Sequence, residues 1–562
     1  VGILSYLDDI YIVISPAAAG TALAAVERAF SPLGLSLNAG KCKWWCGQAD
    51  VVPVGLPASV ERAVRLPVLG AALPFVVASD IDQLDLLDRA GPLQKARAAF
   101  QDYWQNLCKL RCEGMPLDVA LSFHTTFVNG AITHFLRANL VSEAWCEAWD
   151  NAALQFWELE LQRVLNPDQR QQFFLPLKDA GSGVQSAELR RAAAFLGSWE
   201  LCLHDVAKTV GLSTAETVRA RLPALAEDIA TAEAALRARG VEYSFDWEAC
   251  FARAQPKGQK TIMKLVHKKL HQGLATQLPT DDGQGATFQS SGGKGAGSYL
   301  LSPLAGEGAV RMNDDDLRAS LRARFRCDYP GFERNAQPAP STHCKHIYCR
   351  THRTRAGEFC GVALDKRGNH CRGCEVGGLV LKSHNTTVEW LKGTLERWHP
   401  GVQVTTEQRV PRWDHPLPPL PDAEPDAPPR RHLAVLDIRI REPGGRHRML
   451  NVDVGFADPF TEDVAELRRR AEKPGRAAAA YVYAKQQRYP AWRNPTEDLV
   501  PFIIESFGHP SKKAVNFLRQ FAPTDPRARS LELRRAYREL SCLTQQRLAG
   551  LLRSAEDNRK PY

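Results

Sequence analysis

Four residues towards the C-terminal end combine type and spacing in a way that suggests metal-assisted chemistry: Asp437, Asp453, Lys485 and Glu505. Asp437 interrupts the apolar run Leu433–Ile440, and Asp453 interrupts Met449–Phe456. An ionised carboxylate within an apolar strand is costly unless its charge is compensated, and a bound cation is a common compensation. Two such carboxylates on one sheet surface, with a lysine beside them, can hold Mg2+ or Mn2+ and activate a water against a phosphodiester. Glu505, in the run Leu499–Phe507, is expected at the edge of that centre. Either aspartate alone could face solvent by simple strand alternation. The reading rests on their combination.

The elements that must position these groups read as helix, three strands, helix, strand. A helix is expected over His384–Trp398, where Val388, Leu391 and Leu395 repeat at helical spacing. Strands are expected at Val402–Val410, Leu433–Ile440, Met449–Phe456 and Leu499–Phe507, with an Ala- and Arg-rich helix over Asp463–Gln487 carrying Lys485. Counting outward from the turn Pro443-Gly444-Gly445 sets Asp437 beside Asn451 and diagonal to Asp453. The run Pro411–Pro429 holds too many prolines for a sheet interior and reads as a loop between the first two strands. This succession resembles the restriction-like endonuclease fold, the PD-(D/E)xK group, with an αβββαβ core. The resemblance implies a lysine two residues after Asp453, where this chain has Gly455. Lys485 looks like a migrated replacement.

A second pair of carboxylates, Asp8 and Asp9, lies near the other end. Gly2–Val13 reads as two apolar strands joined by a turn at Asp8-Asp9, which can present carboxylates to divalent metal. A helix follows at Ala17–Phe30, then Gly34-Leu35-Ser36-Leu37-Asn38-Ala39-Gly40-Lys41 and Val68-Leu69-Gly70-Ala71-Ala72. These segments resemble the palm of reverse transcriptases: its Tyr-x-Asp-Asp box, its Gly-Leu-x-Leu-Asn-x-x-Lys box and its primer grip. The resemblance implies catalytic roles for Asp8, Asp9 and Lys41. The chain opens with Val1 just ahead of the box, so it reads as a fragment without the partner aspartate, expected not to polymerise by itself.

Five of the fourteen cysteines fall between Cys344 and Cys374, interleaved with histidines, which points to metal rather than disulfides. Cys360, His370 and Cys374 suit a small zinc knuckle, the turn Asp365-Lys366-Arg367-Gly368 bringing the ligands together. The fourth ligand is open: Cys349 first, with Cys344 and Cys371 behind it.

The chain is long enough for several domains, and its charged fraction of 24% and hydrophobic fraction of 44% are those of a globular protein. A net charge of +9 favours a polyanionic partner, and no apolar run is long enough to span a membrane. The pattern from Leu84 to Leu274 is largely helical, with Trp104, Trp145, Trp149 and Trp157 read as core. Lys260, Lys264, Lys268 and Lys269 lie on a basic amphipathic helix, where phosphate contact and a solvated face are both open. The Gly-, Ser- and Gln-rich stretch Asp281–Ser298 reads as a flexible linker. A multidomain α+β protein is therefore expected: a partial palm over 1–83, a helical thumb and linker region over 84–280, a flexible connector over 281–335, a zinc knuckle over 336–383, the nuclease over 384–525 and a helical tail over 526–562.

Palm, thumb, knuckle and nuclease in this order resemble the C-terminal part of a non-LTR (LINE-type) retrotransposon polyprotein. That resemblance implies a nuclease that nicks target DNA and a reverse transcriptase that primes on the nick, with Mg2+ or Mn2+ and Zn2+ as cofactors, an RNA template and target DNA as partners, and a nuclear location. Two other classes compete: a catalytically dead nucleic-acid-binding remnant, and a zinc and nuclease module taken over by a host.

Overall fold

The computed structural model describes residues 2–6, 9–44, 51–62, 66–68, 71–73, 105–209, 211–252, 258–301, 310–329, 365–373, 379–416, 431–441, 449–489 and 497–557. It is a mixed α and β protein, predominantly helical with a small sheet. The chain divides into two compact units, Val1–Cys108 with Ala131–Asn139, and Lys109–Gly130 with Leu140–Tyr562. Among the described residues no helix is long and apolar enough to cross a membrane.

In the first unit β1 (Gly2–Tyr6) and β2 (Asp9–Val13) form an antiparallel hairpin, Tyr6 pairing with Asp9. Asp9 therefore opens the second strand rather than sitting in the turn as expected. Helix α1 (Ala19–Phe30) follows, and Gly34 closes its extension in the left-handed conformation, φ 71°. A short hairpin, β3 (Leu66–Val68) with β4 (Ala71–Leu73), lies where the primer-grip resemblance was read.

The second unit begins with helices. In α2 (Glu143–Leu161) Trp145, Trp149 and Trp157 are buried, as their helical spacing predicted. Asp150 of α2 accepts the N–H groups of Ala187 and Glu188, opening α3 (Ala187–Thr209). Helix α4 (Pro223–Ala238) packs on α3, and α5 (Gly258–Gln277) buries Ile262, Met263 and Val266. The stretch expected to be a linker is instead folded: α6 (Gln284–Ser291) is buried from Gly285 to Ser291. Its small residues serve close packing, not flexibility; a Cβ on Gly285 would stand 3.1 Å from the Ala471 Cβ. Helix α7 (Asp314–Arg324) and the short α8 (Asn369–Gly373) complete this part.

The remaining elements follow the expected order, with shifted bounds. Helix α9 (Leu379–Trp398) buries Val388, Leu391, Leu395 and Trp398. Strands β5 (Val404–Arg409), β6 (Val435–Arg441), β7 (Met449–Ala457) and β8 (Glu497–Glu505) form one sheet in the order β8-β7-β6-β5, antiparallel except for the parallel pair β7/β8. A two-residue ladder, His415–Pro416 with Arg431–His432, closes the base of the Pro-rich insertion. The helix expected over Asp463–Gln487 is two helices, α10 (Val464–Arg470) and α11 (Arg476–Arg488). Pro474 cannot continue a helix, and Gly475 takes a left-handed φ of 82° that starts the next one.

One sheet face carries Ile438, Ile440, Val452, Val454, Phe502 and Ile504 against α9, α12 (Lys512–Phe521) and α13 (Pro526–Asp557). The other packs Ala457 and Ile503 against Ala477, Ala478 and Tyr481 of α11. The segment expected as a C-terminal tail is therefore core: Ala536, Leu540, Leu548 and Leu551 of α13 are buried.

Candidate active site

Ladder pairing between β6 and β7 ends at Ile438 with Val452, and Arg439 pairs with Asn451. One row further on, Asp437 and Asp453 stand directly opposite one another, not diagonal as counted from the turn. Directly opposed residues share a face and lie closer than diagonal ones. Asp437 Oδ2 accepts the N–H of Val454 at 2.6 Å, so the carboxylate takes up a strand donor where regular pairing stops. Lys485 descends from α11 and places Nζ 2.8 Å from Asp453 Oδ1. Both partners are buried, with Asp453 5% and Lys485 9% exposed.

The local reason for a helix-borne lysine is steric. Gly455 lies two residues beyond Asp453 on the same face, and a Cβ there would meet Tyr481 Cε1 at 2.8 Å. Tyr481 stands one turn before Lys485 on α11 and fills the space a strand side chain would need. The Lys485 Nζ sits 5.5 Å from the centroid of that ring.

His384, near the start of α9, brings Nε2 to 3.2 Å from Asp437 Oδ2. That bond raises the imidazole pKa against the opposing effect of burial. Burial pushes the Asp453 carboxyl above the usual range, Lys485 opposes it, and the Asp437 charge adds to the rise. Asp453 Oδ2 is buried and has no hydrogen-bond partner. A third acid, Glu407 of β5, falls in the same row opposite Asp437; it is exposed and holds a left-handed φ of 52°.

Glu505 does not join this group. In the parallel ladder Asp453 pairs with Pro501 and Ala457 with Glu505, four residues or about 13 Å along the strand. Its Oε1 accepts the Ala478 N–H at 3.0 Å and its Oε2 accepts the Ser290 hydroxyl at 2.8 Å. Burial raises its pKa to about 6, although these bonds and the amides of Gly475 and Ala477 favour the anion. Glu505 caps the N-terminus of α11, where a carboxylate offsets the unpaired amides.

Among the other predicted residues, Asp8, Cys349, Cys360 and Cys374 lie outside the described residues, as does Cys344. Lys41 is exposed at the end of a short helical turn, Ala39–Lys41. Asp365–Gly368 forms the expected turn, the Gly368 N–H donating to Asp365 O at 3.0 Å. His370 follows in α8, half-buried, its pKa lowered by burial. Cys371, one of the alternatives for the fourth ligand, is buried in an apolar cluster with Tyr329, Phe507 and Leu548. Lys260, Lys264, Lys268 and Lys269 are all exposed along α5.

Among the described residues no three His, Cys, Asp or Glu side chains form a group that could hold a metal ion. His384, Glu407 and Tyr481 escaped the sequence reading, since each acts across elements distant in the chain. No family model matches the chain, and no curated protein matches it.

Proposed function

We propose that the second unit is a metal-dependent nuclease acting on DNA, with Asp437 and Asp453 as the carboxylates that hold Mg2+ or Mn2+ and Lys485 as the adjacent cation. The observation that carries this reading is the meeting of Lys485 with Asp453 on the row where Asp437 stands opposite. The donor set suits Mg2+: this ion takes one or two carboxylates and completes its shell with water and substrate phosphate. Asp453 also keeps one buried oxygen without a partner, which a cation would satisfy. When bound, the ion supplies charge neutralisation and a more acidic water. Lys485 steadies charge that builds on phosphate oxygens. His384 holds Asp437 in place.

On the wider resemblance, the chain is the C-terminal part of a LINE-type reverse transcriptase and endonuclease, the β1–β2 hairpin with Asp8 and Asp9 belonging to its palm. Cys360, His370 and Cys374, with Cys349, form its zinc knuckle. Burial lowers the His370 pKa, which favours the neutral imidazole that zinc binding needs. Elemental analysis of the natively prepared chain should find about one Zn2+, and its absence would remove the knuckle.

The competing reading is a nucleic-acid-binding remnant without catalysis. The same two pairs favour it, because Lys485 beside Asp453 and His384 beside Asp437 compensate both carboxylates without metal. Supercoiled plasmid incubated with the chain and Mg2+ or Mn2+ separates the two. Nicking that disappears in Lys485→Ala supports the nuclease; retarded but intact plasmid supports the remnant.

A further inference from the structure

Beside the row that holds Asp437 and Asp453, Arg439 stands directly opposite Asn451. Asn451 is fully buried, 0% exposed, two residues from Asp453 on the same face of β7. Neither its Oδ1 nor its Nδ2 has a hydrogen-bond partner. Two further buried atoms in these rows share that condition, Arg439 Nε and Asp453 Oδ2. Each belongs to a side chain whose other end is engaged: Arg439 Nη2 donates to Glu497 Oε1 at 2.8 Å, and Asp453 Oδ1 accepts from Lys485.

A buried polar group without a partner costs about 1–3 kcal/mol, and native interiors hold few of them. An apolar side chain would fill the position without that cost, as Val452 and Val454 do on the opposite face. The unpaired atoms are also complementary: Arg439 Nε–H and the Asn451 amide donate, while Asn451 Oδ1 and Asp453 Oδ2 accept. The Cα atoms of residues two apart on a strand stand about 7 Å apart, and one water making two hydrogen bonds of about 2.8 Å spans up to about 5.6 Å between polar side-chain ends that lean towards one another. Buried polar sites of this kind are where interior water is held.

We propose that Asn451 is a positioning residue of the nuclease centre, holding Oδ2 of Asp453 through an ordered water so that the carboxylate keeps one orientation towards the divalent ion. The proposal rests on the nuclease reading, and it assigns the polar site behind the carboxylate rather than the cation site itself. Lys485 grips one oxygen, and the Asn451 water takes one acceptor site of the other, whose second acceptor site is left for the ion, so the carboxylate cannot rotate. Such supporting contacts commonly govern metal affinity by about 10–100-fold.

Two measurements test it. A crystal structure of the metal-free chain should show an ordered water within hydrogen-bond reach of both the Asn451 amide and Asp453 Oδ2. An Asn451 amide bonded directly to protein atoms, or a dry site, would overturn the proposal. Calorimetric titration with Mn2+ should show affinity about tenfold or more weaker in Asn451→Leu, at an unchanged or higher melting temperature. Asn451→Ser leaves room and a hydroxyl for the water, and it should recover part of that affinity even if the leucine variant folds poorly. Unchanged Mn2+ affinity in both variants sinks the positioning role and leaves the nuclease reading intact. Plasmid nicking that survives Asp453→Ala would instead sink the nuclease reading.

Discussion

Asp453 and Glu505 are two buried carboxylates on one face of one sheet, carried by neighbouring parallel strands and offset by about 13 Å along them. Both have pKa values raised by burial. Their environments nevertheless differ in kind. Glu505 is surrounded by groups that satisfy an anion: a helix N-terminus at Ala478 and the Ser290 hydroxyl. Asp453 has a lysine on one oxygen, nothing on the other, and a second carboxylate opposite. Burial alone therefore marks no site. A carboxylate whose bonding capacity is used up holds the fold, and one with capacity left over can take a ligand.

That contrast can be broken most severely at the aspartates. Asp437→Ala and Asp453→Ala should reduce Mg2+-dependent nicking to background while circular dichroism keeps the parent's fold, Asp453→Ala at a lower melting temperature because it strands the buried Lys485 ammonium. Glu505→Ala should do the reverse. It strands the Ser290 hydroxyl and the first amides of α11, a loss of about 3 kcal/mol in denaturant unfolding. Gly455→Ala probes the ground between the two, because its Cβ would meet Tyr481 at 2.8 Å and Ile503 Cδ1 at 3.0 Å. Overpacking there should cost about 2 kcal/mol and displace the ring that flanks Lys485.

The pH response should sharpen the contrast further. Burial raises the Glu505 pKa from 4.5 to about 6, so the folded chain holds this proton more tightly than the unfolded one. Its contribution is whole below pH 4.5 and is lost as the pH rises through about 6, a fall of about 2 kcal/mol. Glu505→Gln should flatten that part of the stability profile. His384 is also raised, so its contribution is present below its ordinary value of 6.5 and fades as the pH climbs past its folded value. His384→Gln should remove this smaller slope in the metal-free chain.

Much of the architecture was legible because strands and helices of the second unit carry clean periodicity. Val388, Leu391 and Leu395 marked α9, and the apolar runs marked β6 and β7. The convergence of Asp437, Asp453 and Lys485 could be anticipated from hairpin geometry and chain order. Its register could not, since a slip in the turn moves the partner of Asp437 from Asn451 to Asp453. Glu505 was misleading because type and strand position resemble those of a metal ligand, while the groups that satisfy it come from α6 and α11. α6 itself was hidden by composition: glycine and serine mark both flexible linkers and the closest helix packing. His384 and Asn451 depend on contacts and burial that no linear pattern records.

The central claim is that spare bonding capacity, rather than burial, separates the working carboxylate from the structural one. Nicking rates of Asp453→Ala and Glu505→Gln, measured side by side at saturating Mg2+ on folded protein, test it most directly. The first should fall to background and the second stay within a few-fold of the parent. Equal loss in both variants, or full activity in Asp453→Ala, would contradict it.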